Sequence, residues 1–212
     1  MRTDELIRAL GADARPRRLS VAATWRFALP AAAVLAALVF FAAIGPRPDI
    51  AAAMETARFL FKFVVTAALA GAAFGAARML GRPGAASRTA LAALLVAPAL
   101  LAAGVLLELY VVPSAEWGAR LIGSNSRTCL TFVPLIGIGP LAVFLAALRA
   151  NAPTRPRLAG AVAGLLAGGL AATFYAAHCT DDSPLFVATW YTLAIALLAA
   201  VGAAAGGRVL RW

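Results

Sequence analysis

Apolar residues in this chain fall in long uninterrupted runs, separated by short clusters dominated by arginine. Between ionisable residues the runs are Phe27 to Pro46, Phe63 to Ala77, Thr89 to Leu107, Thr128 to Leu148, Leu158 to Ala177 and Ser183 to Gly207. A helix that crosses the hydrocarbon core of a bilayer needs about 20 such residues. Five runs are long enough as they stand. The second becomes a span from Phe59 to Leu80 if Lys62 and Arg78 extend their charged tips toward the headgroups. The pattern predicts an all-α polytopic integral membrane protein, with six transmembrane helices in a bundle. It divides the chain into an N-terminal segment, 1–25, and a transmembrane domain, 26–212. The first run follows a basic leader too long for a signal peptide and reads as a retained helix.

The leader has a different rhythm. Thr3 offers a cap, Asp4 and Glu5 fall in a first helical turn, and Leu6, Ile7 and Leu10 share one face. Asp13 follows, and Pro16 closes the segment before Arg17 and Arg18. So short a helix is marginal alone. Two readings stand: it orders by docking its apolar stripe on a partner, or it lies on the inner leaflet, held by its arginines. Between the fourth and third runs, Pro113-Ser114-Ala115-Glu116-Trp117 reads as a short interfacial helix. Pro30, Pro98, Pro134 and Pro140 should kink the helices that contain them. Glycines at four-residue spacing, Gly160, Gly164 and Gly168, Gly71 and Gly75, Gly202 and Gly206, suit close helix packing within the chain, with dimerisation the alternative.

Composition supports the membrane reading: 63% of residues are hydrophobic and 13% charged, whereas soluble domains sit nearer half and a quarter. The net charge of +10 would suggest nucleic acid in a soluble protein. Here the basic residues alternate between sides, fourteen against five, when the helices are threaded back and forth. The side with more arginine is expected in the cytoplasm, so both termini are placed there, in a bacterial inner membrane. Direct nucleic-acid binding is not expected. Six of the nine acids, Asp49, Glu55, Glu108, Glu116, Asp181 and Asp182, fall on the opposite side.

Chemistry concentrates on that opposite side. Cys129 opens the fourth run and Cys179 follows the fifth, so antiparallel neighbours bring both to one face. Three readings remain open: small inert residues, a structural or switched disulfide in an oxidising compartment, or metal contact assisted by His178. His178 is the sole histidine, and Asp181 and Asp182 follow it. As a lone interfacial histidine it also suits a simple hydrogen bond. No ionisable residue lies deep in a run, which disfavours a coupled transporter. No glycine-flanked serine lies in a helix, which disfavours a membrane hydrolase. A thiol–disulfide enzyme working with a quinone would need more than two cysteines. No enzyme activity and no resident cofactor are expected, beyond a transient metal ion.

The motif Asp4-Glu5-Leu6-Ile7-Arg8-Ala9-Leu10, six spans, and the neighbourhoods Arg127-Thr128-Cys129 and His178-Cys179-Thr180-Asp181-Asp182 together resemble the NrsF-like family, the negative regulators of sigma factor F in proteobacteria. The resemblance implies an integral-membrane anti-sigma factor. Such a protein holds an extracytoplasmic-function sigma factor at the membrane and releases it on oxidative or metal stress. It implies Cys129 and Cys179 as sensing residues, with His178 beside them. It also implies that the leader from Thr3 to Pro16 is the sigma-binding segment, with Asp4, Glu5, Leu6, Ile7, Leu10 and Asp13 as its candidate contacts.

Overall fold

A computed structural model of the chain describes residues 2–12, 21–82, 88–151 and 153–211. Asp13 and Pro16 of the leader lie outside the described residues. Among the described residues there are helices and no strands. In order they are α1 (Thr3–Ala12), α2 (Val21–Ala43), α3 (Ile50–Ala53), α4 (Ala57–Leu80), α5 (Arg88–Ala92), α6 (Val96–Val111), α7 (Ser114–Ile122), α8 (Ser126–Ala150), α9 (Pro156–Ala176), α10 (Pro184–Phe186) and α11 (Thr192–Val209). A 3₁₀ turn at Ala93–Leu95 joins α5 to α6, and a π turn at Val187–Tyr191 joins α10 to α11.

All six expected spans are present: Ala22–Ala43, Ala57–Leu80, Arg88–Val111, Ser126–Ala150, Pro156–Ala176 and Pro184–Val209. Their limits follow local chemistry. Thr56 caps α4, its hydroxyl accepting from the Phe59 amide. Gly45 ends α2 with φ 62°, and its amide and that of Ile44 both return to the Phe40 carbonyl. Pro98 has no N–H to give to the Leu94 carbonyl, and that carbonyl lies in the 3₁₀ turn Ala93–Leu95. Pro30, Pro134 and Pro140 lie inside continuous helices.

The spans do not share burial equally. α9 is the central helix, packed most extensively on α11 and α4. Glycine makes the α9–α11 approach close. A Cβ on Gly160 would land on the Gly202 carbonyl, and one on Gly164 would meet the Leu198 carbonyl. The intramolecular reading of these glycines holds for this pair, whereas Gly71 and Gly75 face open space. α6 is the least enclosed span. It meets α4 where the Phe61 ring fills the notch left by Gly104.

Two buried clusters occupy the two ends of the bundle. One gathers Trp25, Leu141, Phe144, Leu148, Leu166 and Leu210 at the end rich in arginine. Trp25 stacks on Phe144, with ring centroids 5.9 Å apart, and meets Phe74 edge-on. The other gathers Phe40, Cys129, Tyr175, Cys179, Phe186 and Tyr191. We call the ends the arginine end and the cysteine end.

α1 stands apart. Its first turn is closed by the Arg2 amide on the Glu5 carboxylate, 3.2 Å. It shares no substantial packing with any other described element, and Ile7 is 62% exposed.

Candidate functional site

The segment 177–183 links the fifth and sixth spans at the cysteine end. It is too short to fold over itself, so its polar atoms bond outward to every neighbouring connection. Asp182 draws on the second span and on the connection that precedes it. Its carboxylate meets Lys62 Nζ at 2.6 Å and Arg47 Nη1 at 3.1 Å. Lys62 also donates to the Cys179 carbonyl at 2.8 Å. Arg47 in turn holds Asp49 at 2.7 Å. These hydrogen bonds raise the Arg47 pKa and lower that of Asp49, with the Arg47–Asp49 bond the largest cause for each.

Asp181 draws on the turn before α8. It accepts from the amides of Ser124 and Asn125, at 3.0 and 2.7 Å, and from Asn125 Nδ2 at 2.9 Å. Gly123 makes this possible. Its φ of 59° with ψ −171° is open essentially to glycine alone. A Cβ there would lie 2.8 Å from Asp181 Cγ and would strike the Phe186 ring.

Ser183 completes the segment. Its hydroxyl donates to Glu108 at 2.7 Å, and the Leu185 amide donates to the same carboxylate oxygen at 3.1 Å. Glu108, from the end of α6, therefore supplies negative charge at the start of the sixth span, where free amides attract it. Arg120 of α7 lies 3.4 Å from Glu108 and 2.8 Å from Glu116. The Glu116 bond is the main cause raising the Arg120 pKa.

Both cysteines are fully buried and both are free thiols. They belong to one cluster with Tyr175, Phe186 and Tyr191. Cys129 sits in the first turn of α8, its amide on the Asn125 carbonyl at 2.8 Å. The Tyr175 hydroxyl donates to the same carbonyl at 3.4 Å. The Cys179 thiol donates to the Asp181 carbonyl at 3.7 Å. Burial pushes the Cys179 thiol above its ordinary value, and the Lys62 charge opposes that in part. The Tyr191 hydroxyl is buried beside the thiols and finds no partner of full hydrogen-bond geometry among the described residues.

His178 is engaged elsewhere, its Nδ1 2.9 Å from the Gly45 carbonyl. Among the described residues no three of His, Cys, Asp and Glu are grouped closely enough to hold a metal ion. The thiols and His178 are therefore not assembled as a three-ligand set in this arrangement.

Two sequence expectations need correction. Lys62 does not snorkel: it is 0% exposed and turns inward to Asp182. Glu108 does more than mark the end of a run, being 4% exposed and anchoring Ser183. Both lie near the cysteine end of their spans, so the absence of deep ionisable residues still holds. The signal for Lys62 was its register with Phe59 and Thr66, which share its buried face. Of the leader's candidates, Asp4, Glu5 and Ile7 are exposed on α1. Leu6 and Leu10 lie on the same helix.

Comparison with known proteins gives this arrangement its context. No solved structure matches the chain. It is 37% identical to the anti-sigma-F factor NrsF of Caulobacter vibrioides, with all of both chains covered. It is 34% identical to the probable anti-sigma-F factor NrsF of Azospira oryzae, again over the whole of each chain. The profile of the family described as negative regulator of sigma F matches residues 10–212. By that match and by full-length identity above 30%, the chain belongs to the NrsF family, the negative regulators of sigma F.

Proposed function

We propose that this protein is a membrane-bound anti-sigma factor that holds a sigma factor of the extracytoplasmic-function class through α1. It releases that partner when the Cys129–Cys179 pair is oxidised or captures a thiophilic metal ion. The protein acts as a regulator and not as an enzyme. Both termini lie in the cytoplasm and the cysteine end faces the periplasm of the inner membrane. The alternation of fourteen and five basic residues supports that orientation.

The observation that carries the reading is α1. It is a helix with acids in its first turn and Ile7 exposed, and the bundle does not use it. An amphipathic helix left unpartnered suits docking into an apolar groove on a soluble protein. The sensing half rests on two buried thiols in one cluster, one on α8 and one in the segment that ties the sixth span to all the others. Joining them, or bridging them through a metal ion, changes the Cys179 backbone that Lys62 grips.

The test is co-purification from native membranes. Wild-type protein should retain the sigma factor, and the Leu6→Asp, Leu10→Asp double variant should lose it while still inserting. Retention by the double variant rules out α1 as the docking helix. Cys129→Ser and Cys179→Ser should each alter stress-induced release, and the double variant should match either single one, because the pair works as one unit.

A further inference from the structure

At the arginine end, Arg157 of α9 and Arg208 and Arg211 at the end of the sixth span line one cavity of about 490 Å³, floored by Ala203, Ala204 and Gly207. All three arginines are exposed, and none has a carboxylate partner among the described residues. From residue 21 to residue 211 the acids all sit at the cysteine end: Asp49, Glu55, Glu108, Glu116, Asp181 and Asp182. Among the described residues the bundle therefore offers no carboxylate to this cavity.

The cavity is shaped as well as charged. Gly207 lacks the side chain that would hold Arg157 away. A Cβ there would lie 3.0 Å from Arg157 Cγ and 3.3 Å from its Nε. The Arg157 stem thus lies across α11 and brings its guanidinium beside the two arginines of the sixth span. Arg208 already donates to the Ala204 carbonyl at 3.4 Å, which holds it along the helix.

We propose that this cavity binds the phosphodiester headgroup of an anionic membrane phospholipid. Planar guanidinium forks match phosphate oxygens in pairs of hydrogen bonds, and basic pockets between spans at the membrane surface take such headgroups. A lipid is favoured over free phosphate by what lies next to the cavity. Leu193, Leu197 and Val201 are exposed at four-residue spacing on α11, and Ala204 and Arg208 continue the stripe to the arginines. A headgroup in the cavity leaves its acyl chains along that apolar stripe. The inference concerns a different end of the molecule from the cysteines and stands whether or not their sensing role does.

The test uses the full-length protein in bilayers of equal parts phosphatidylglycerol and phosphatidylcholine. The lipid retained after detergent extraction is identified by native mass spectrometry. Wild-type protein should retain phosphatidylglycerol selectively, and each lost arginine should lower that preference roughly fivefold. Arg157→Gln, Arg208→Gln and Arg211→Gln combined should abolish it. Arg82→Gln, Arg88→Gln and Arg149→Gln combined remove the same charge from the same end and should leave it intact. Gly207→Val keeps every charge but displaces Arg157, and should lower the preference too. Equal loss in both triple variants would reduce the effect to general surface charge and overturn the site. So would undiminished preference in the first. Displacement of the lipid by inorganic phosphate in excess would assign the cavity to free phosphate. If the first triple variant does not fold, Arg211→Gln alone, altering a residue beyond the last helix, decides the question.

Discussion

The two ends of the bundle are held by different physics. At the cysteine end, Asp181, Asp182 and Glu108 accept directional bonds from residues 57, 135 and 75 positions away in sequence. At the arginine end, α9 and α11 meet through glycine with little between them but backbone. Apart from the half-buried Arg78, the described arginines there are exposed, and none pairs with a carboxylate among the described residues. The first kind of joint fails when one partner is lost, because the other is left charged and buried. The second tolerates any surface change and fails only when its thin seam is widened. A joint of the first kind suits the sensing role proposed for the cysteine end.

Asp182→Ala should break the comparison most sharply. It leaves Lys62 buried without a carboxylate and should cost about 3–5 kcal/mol in unfolding free energy. Arg149→Gln, at the other end, should change it by less than about 0.5 kcal/mol. Chemical unfolding of both variants in detergent checks the contrast, and equal losses would erase it. Glu108→Gln comes next. It removes a charged acceptor from Ser183 and Leu185 and should cost about 1.5–3 kcal/mol. It should also loosen α6, the least enclosed span, which hydrogen exchange at its cysteine end would show.

Thiol labelling probes the same end without mutation. Cys179 is fully buried and its pKa is raised, so the reactive thiolate is scarce at neutral pH. Maleimide should label the native protein more than tenfold slower than the unfolded chain. Asp182→Ala should accelerate labelling, because the lost Asp182–Lys62 pair frees the segment that covers Cys179. Unchanged labelling would separate the cysteines from the charge network.

The smallest effect concerns pH. Asp49 is exposed, and Arg47 holds its carboxyl below the usual value of 3.8. Its contribution is therefore present above that value and lost as pH falls through the lower, folded one. Melting curves of wild type and Asp49→Asn should differ slightly at neutral pH and converge in acid.

Much of this was legible in one dimension. Six spans, the shared face of the cysteines and the separate leader helix all follow from run length, alternation and period. The polar network was not, because hydropathy reports how apolar a segment is and not which way a residue faces. Lys62 and Glu108 looked like end markers. Their roles depend on Asp182 and Ser183, which lie far along the chain and were read as an acid beside His178 and as the first residue of the sixth run. Of the two readings of His178, metal contact beside the thiols and a simple hydrogen bond, the structure shows the hydrogen bond: Gly45, turning at φ 62°, presents its carbonyl to the imidazole.

The order in which the chain is made gives the network a further consequence. Synthesis runs from the N-terminus, so α4 and α6 enter the membrane carrying Lys62 and Glu108 well before Ser183 and Asp182 exist. Until the last span arrives, the bilayer holds an ammonium and a carboxylate whose final partners are missing. Both are resolved in a single stroke when the segment 177–183 closes over them. A chain truncated before that point carries Lys62 without its carboxylate and leaves Glu108 with Arg120 but without Ser183 and Leu185, so an unfinished molecule differs from a complete one in the charge it buries.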